Sequence, residues 1–163
     1  MKVLTIATLM MITMSATAQD SEPTNKHFWY SLPTTASAEQ IWQVWTDVPN
    51  WKNWDSGLQD ATLDGDFALA AKGTILSLEG RTSKFKIVDI EPGRSYTMKT
   101  NLPLGGLYVE RYLDSSGDQL TFTHEVWFTG LTKGIFAKAF GEKFRAMLPE
   151  VLENVKAIAE AKR

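Results

Sequence analysis

The chain has 163 residues, no cysteine and a formal net charge of −2. That composition excludes a disulfide framework and any cysteine-based metal site or lipid anchor, and the charge argues against nucleic acid as a partner, which needs a basic face. Six Trp and eight Phe are many large rings for one small domain and suit a broad apolar interior.

Lys2 is the only charge in the first eighteen residues, and the uncharged run Val3 to Met14 leads to Ser15-Ala16-Thr17-Ala18. A basic start, an apolar stretch and a small-residue exit describe a secretory signal over residues 1–18, cut before Gln19. The apolar run is shorter than the roughly 20 residues a membrane-spanning helix needs, so no membrane span is expected in the mature chain. The expected location is periplasmic or secreted. Polar residues 19–26 read as a flexible leader, and residues 27–163 as one domain.

His27 to Leu32 (HFWYSL) is the first predicted strand, ended by Pro33. Ser37-Ala38-Glu39-Gln40 is a capping box that opens a helix carrying Ile41, Trp42, Val44 and Trp45, and Pro49 stops it near Asp47. Trp51 and Trp54, three apart, fit one short helical turn with both rings on one side. The period then changes to two. Strands are predicted at Gln59 to Leu63, Gly73 to Leu78, Lys84 to Ile90, Tyr96 to Leu102, Tyr108 to Leu113 and Gln119 to Phe128, joined by short glycine-bearing turns. That succession makes an antiparallel meander. Tyr96, Met98, Thr100 and Leu102 share one face, as do Leu120, Phe122, His124, Val126 and Phe128. A long amphipathic helix runs from Thr132 to Ala161, with Leu131, Ile135, Phe136, Phe140, Phe144, Leu148, Val151, Leu152 and Val155 in its apolar stripe. Pro149 lies inside it and predicts a bend there.

Strand, two short helices, a six-strand meander and one long helix pack best as an α+β fold. A curved sheet of about seven strands grips the long helix and leaves a cavity between them. The stretch TASAEQIWQVWTDVPNWKNWDSGL, the later GDQLTFTHEVWFTG and the helix beginning LTKGIF resemble the START-like superfamily of polyketide cyclase/dehydrase and lipid-transport proteins. The resemblance spans nearly all of residues 27–160 and rests on apolar and turn patterns. It implies the helix-grip fold and a ligand cavity for a lipid-, sterol- or polyketide-like molecule. It does not decide between binding and catalysis.

His124 interrupts an apolar strand face and is the leading polar candidate, as a hydrogen-bonding group in the cavity or a proton carrier. Its partner depends on hairpin register. Pairing Leu113 with Leu120 puts Arg111 and Val109 on the His124 face, whereas pairing Tyr112 with Leu120 puts Tyr108, Glu110 and Tyr112 there. The Leu107, Val109 and Leu113 spacing favours the first. The candidate ligand-binding set is His124, Arg111, Trp54, Tyr96, Met98, Phe122, Phe136 and Phe140, with Trp51 beside them, and full ring burial predicts a loss of about 3 kcal/mol for Phe140→Ala.

No residue set marks a catalytic centre, and no cofactor motif occurs. A metal site is not expected, because His27 and His124 are the only histidines and His27 opens the outer end of its strand. The reading that follows is an exported binder or carrier of an apolar small molecule. The alternatives are a cyclase or dehydrase using His124 with Arg111 or Glu110, and an envelope interaction or stress protein with an incidental cavity. Nothing in the sequence sets the oligomeric state.

Overall fold

The structure, a computed structural model, describes residues 22–162. The expected signal segment, residues 1–18, and the start of the leader lie outside the described residues. Seven strands, β1 His27–Thr34, β2 Leu58–Asp64, β3 Lys72–Ser77, β4 Thr82–Glu91, β5 Ser95–Leu102, β6 Gly105–Asp114 and β7 Leu120–Gly130, form one antiparallel sheet. Its order is β1-β7-β6-β5-β4-β3-β2, so short turns make chain neighbours sheet neighbours and β1 completes the sheet against β7. The sheet curves around the C-terminal helix in the helix-grip α+β arrangement.

Local chemistry sets the first helical elements. Helix α1, Ala38–Thr46, starts on the expected box: Ser37 Oγ accepts from the Gln40 N–H at 3.2 Å, and Gln40 Oε1 accepts from the Ser37 N–H at 2.7 Å. It buries Ile41, Val44 and Trp45. A 3-10 helix, Val48–Asn53, follows, and it places the Trp51 and Trp54 rings 5.9 Å apart, both buried. The Trp51 indole N–H donates to the Trp45 carbonyl at 2.8 Å, which ties the turn back onto α1.

The C-terminal segment is one helical run in three parts: α2 Lys133–Phe136, a π-helical turn Ala137–Gly141, and α3 Glu142–Ala161. Pro149 sits inside α3, and the π turn lies upstream of it. A π turn has wider spacing per turn and puts the preceding residues out of phase with the helix that follows. Leu131 precedes the helix, which starts at Lys133, and it and Ile135 are 88% and 69% exposed, off the face that buries Leu148, Val151, Leu152 and Val155. Gly141 lets the chain at Asn25 approach, since a Cβ there would lie 2.1 Å from the Asn25 carbonyl oxygen. At the other end, Glu160 accepts from the Thr34 hydroxyl at 2.9 Å and the Thr35 N–H at 2.8 Å, fastening α3 to the end of β1.

Candidate functional site

Strand pairing decides which side chains share the concave face. On the β6–β7 hairpin Leu113 lies opposite Phe122 and Arg111 opposite His124. The pairing differs by two residues from the Leu113–Leu120 alternative, because the turn spans more residues than that alternative allows. A shift of two preserves the face. Arg111 and Val109 are therefore on the side of His124, and Glu110 points to the outer face with Glu125 opposite it.

A cavity of about 550 Å³ lies between this face and the C-terminal helix. Met98, Thr100 and Leu102 of β5, Leu107 and Val109 of β6, and Val126 and Phe128 of β7 form its sheet wall. Phe136, Phe140, Phe144 and Met147 form its helix wall. Arg111, His124 and Asp55 stand at its inner end. From Arg111 to Leu107 along β6 the wall runs roughly 14 Å at strand rise, so the cavity is polar at the inner end and apolar along its length. Glu79, Arg81 and Lys143 edge it at the β3–β4 turn, where Lys143 donates to Glu79.

Of the residues picked from sequence, His124, Arg111, Met98, Phe136 and Phe140 line this cavity. Trp54, Tyr96 and Phe122, and Trp51 with them, do not. They are at most 1% exposed and form an aromatic floor beneath the polar end. The reason is packing from α1 and the 3-10 helix: the Trp45 ring stands 6.2 Å from Tyr96, 6.2 Å from Phe122 and 5.7 Å from His124, closing the space these rings would otherwise face.

Arg111 is the oddity of the molecule. It is 3% exposed, and none of the ion pairs among the described residues includes it. Its guanidinium carbon lies 4.8 Å from the Trp54 ring centre, 4.9 Å from Trp51 and 5.5 Å from Tyr96, and it donates to the Tyr96 hydroxyl. Such cation–π contacts are worth about 0.5–2 kcal/mol each, and they offset part of the desolvation of a buried charge. Arg111 Nε and His124 Nε2 remain buried without a protein hydrogen-bond partner. Asp55 accepts from the Gly57 N–H at 3.0 Å; burial pushes its carboxyl above the ordinary value, and the Arg111 charge pulls it partly back.

The sequence reading overlooked Asp55. It lies between the Trp pair and a glycine turn, outside any periodic element, and only its proximity to Arg111 marks it.

Burial, then the Arg111 charge, hold His124 well below its ordinary value, so the ring is neutral rather than a proton carrier near pH 7. Unfolding releases a histidine that titrates near 6.5. The unfolded chain then binds a proton that the folded chain refuses. Stability is full above about pH 6.5 and falls by about 1.4 kcal/mol per pH unit below it, until the folded-state pKa is reached. His124→Leu should flatten this slope in urea unfolding followed from neutral pH to about pH 5. Parallel losses in both proteins would place the acid sensitivity elsewhere.

Phe140 is half-buried, stacked 6.3 Å from Phe136 and 6.1 Å from Phe144, with Arg81 5.6 Å over its ring. One face meets the cavity. Phe140→Ala should therefore cost about 1.5 kcal/mol rather than the roughly 3 kcal/mol of a ring packed on all sides. A loss of 3 kcal/mol or more in urea would mean that the cavity is closed there.

The family pattern described as polyketide cyclase/dehydrase and lipid transport matches residues 30–160. The chain belongs to that family. Among solved structures it is similar to protein MLL2253 from Mesorhizobium loti, at 14% identity and a TM-score of 0.66, covering 85% of this chain and 99% of that one. It is also similar to the di-domain ARO/CYC StfQ from the steffimycin biosynthetic pathway, at 14% identity and a TM-score of 0.67, covering 83% of this chain and 51% of that one. Norcoclaurine synthase from Thalictrum flavum, solved with dopamine and hydroxybenzaldehyde, aligns at 15% identity and a TM-score of 0.62, covering 85% of this chain and 88% of that one. At these identities the likeness is one of fold. No curated protein matches the chain significantly.

His27, on the outer face, is joined through Nε2 to Glu125 Oε1 at 2.5 Å. Among the described residues no group of three His, Cys, Asp or Glu could hold a metal ion, and no helix is long and apolar enough to cross a membrane.

Proposed function

We propose that this family member is an exported binder or carrier of a small, mainly apolar molecule that ends in an anionic or strongly accepting oxygen group. That group would sit on Arg111 and the apolar body would run along the β5–β7 wall. The observation that carries this reading is a buried guanidinium, caged by rings and in none of the ion pairs among the described residues, with Asp55 near it, at one end of a cavity whose β5–β7 wall is mainly apolar. A buried charge that closes no ion pair favours a ligand of opposite charge, and a charge-assisted hydrogen bond to it is among the stronger polar contacts. Isothermal titration with a medium-chain fatty carboxylate, the matching alcohol and the matching trimethylammonium cation tests it. Affinity should fall in that order. Equal binding of cation and carboxylate would remove Arg111 as the anchor.

Export rests on the N-terminal pattern. Protein recovered from the host's periplasm or medium should begin at Gln19 on N-terminal sequencing, and an intact Met1 would show that the segment is retained.

One observation favours a second reading, a cyclase- or dehydrase-type enzyme. Asp55, Arg111 and His124 converge on one end of the cavity. There Asp55 would take a proton from carbon next to a ligand carbonyl, and Arg111 would hold the resulting enolate oxygen. Solvent deuterium exchange into a bound β-diketone, followed by NMR, separates the two. Exchange that disappears in Asp55→Asn supports the enzyme, and no exchange above the free diketone supports the carrier.

A further inference from the structure

Three large aliphatic side chains stand in water at one end of the molecule, where the β5–β6 turn meets the junction of β7 and α2. Leu131 is 88% exposed, Leu104 72% and Ile135 69%. They belong to one surface. The Leu131 N–H donates to the Leu104 carbonyl at 2.9 Å, and the Thr132 hydroxyl donates to the Pro103 carbonyl at 2.5 Å. Gly130, at φ +83°, makes the crossing possible, since a Cβ there would lie 2.2 Å from the Leu104 carbonyl oxygen. Leu104 itself is held at φ +56°, in the left-handed region where glycine or asparagine would rest more easily. Strain of this kind tends to persist where a side chain is used.

The two segments that build the tip carry charge of one sign only, while Glu110 and Glu125 share a surface pocket with Lys133 further along β6 and β7. The turn from Leu102 to Leu107 carries no charge, and the segment from Thr129 to Gly141 carries Lys133 and Lys138 and no acidic residue, in a chain whose net charge is −2. Both lysines are exposed. We propose that Leu104, Leu131 and Ile135, flanked by Lys133 and Lys138, dock this end of the protein on an anionic lipid surface. Apolar side chains that enter the interface and lysines that meet lipid phosphates are the two components of peripheral membrane binding. A second copy of the chain is a poorer occupant, because a two-fold contact through this patch would set the same lysines against each other. Docking in this position turns the apolar end of the cavity to the lipid: Leu102 and Phe136, which line it, flank Leu104 and Ile135 in the chain. The inference does not depend on what the cavity holds.

The absence of cysteine allows a local test. Ile135→Cys carrying an environment-sensitive fluorophore should shift to the blue on adding phosphatidylglycerol-containing vesicles. Pure phosphatidylcholine should have little effect, and a label at Ser116→Cys, on the opposite end of the sheet, should not respond. In vesicle sedimentation, with all proteins sharing one N-terminus, the Leu104→Asp/Leu131→Asp/Ile135→Asp variant should bind at least about tenfold more weakly with unchanged circular dichroism. Lys133→Glu/Lys138→Glu should lose the preference for anionic lipid. No spectral shift at position 135, or unchanged sedimentation of the triple variant, overturns the proposal. So does a lipid-free dimer in sedimentation velocity that the triple variant dissolves, which would assign the patch to self-association.

Discussion

Arg111→Met should weaken binding of a fatty carboxylate by roughly 100-fold while leaving the protein as stable as before, or more so. The two halves of this result have one cause. In the folded protein the guanidinium has rings on several sides and a single side-chain acceptor, Tyr96, which does not repay the removal of a full charge from water. Methionine fills a similar volume among the same rings without a charge to desolvate. A bound carboxylate supplies what the fold withholds, and losing a charge-assisted hydrogen bond costs about 1.5–3 kcal/mol. Titration of carboxylate and alcohol against both proteins, alongside urea unfolding, gives the answer. A variant that binds carboxylate normally removes Arg111 from the site. A variant that unfolds several kcal/mol sooner would make Arg111 a structural group.

Trp45→Ala should cost about 4 kcal/mol, within the range for deleting a fully buried large ring. Trp45 is 0% exposed, and its ring meets Tyr96, Phe122 and His124 where α1 covers the sheet. Its removal opens a void under the polar end and loosens the groups that position His124, so the ligand affinity should drop as well. With total stability typically 5–15 kcal/mol for a domain, the variant should be marginal at room temperature. A urea-measured loss under about 2 kcal/mol would mean that the floor collapses to fill the gap.

Much of the architecture was legible because its determinants are local. The Ser37–Gln40 box, the strands β5 and β7 and the 3.6 period of α3 each follow from neighbours a few residues apart, and the structure has all of them, although Thr97 and Thr123 on the expected wet faces are buried as well. Whether Arg111 or Glu110 shares the face of His124 stayed open in the sequence, because the two registers differ in parity; the observed pairing has the parity that puts Arg111 there.

Other features depend on contacts between segments distant in the chain, and only the tertiary structure decided them. Periodicity says that Trp54, Tyr96 and Phe122 point inward, but not whether they meet a cavity or another ring. The descent of α1 and its 3-10 helix onto β5 and β7 settled that. Asp55 has no pattern of its own and became notable through Arg111, on a strand more than fifty residues later. The apolar stripe placed Leu131 and Ile135 in the core on the assumption of one unbroken α-helix. Leu131 instead lies in the turn before the helix starts at Lys133, and Ile135 faces solvent in its first turn while Phe136 lines the cavity, so where the helix begins and which side meets the sheet were decided by packing. The sequence by itself determined the elements and their main dry faces, because those are set by side-chain period. The tertiary structure decided which dry faces enclose space, because that depends on how closely separate elements approach.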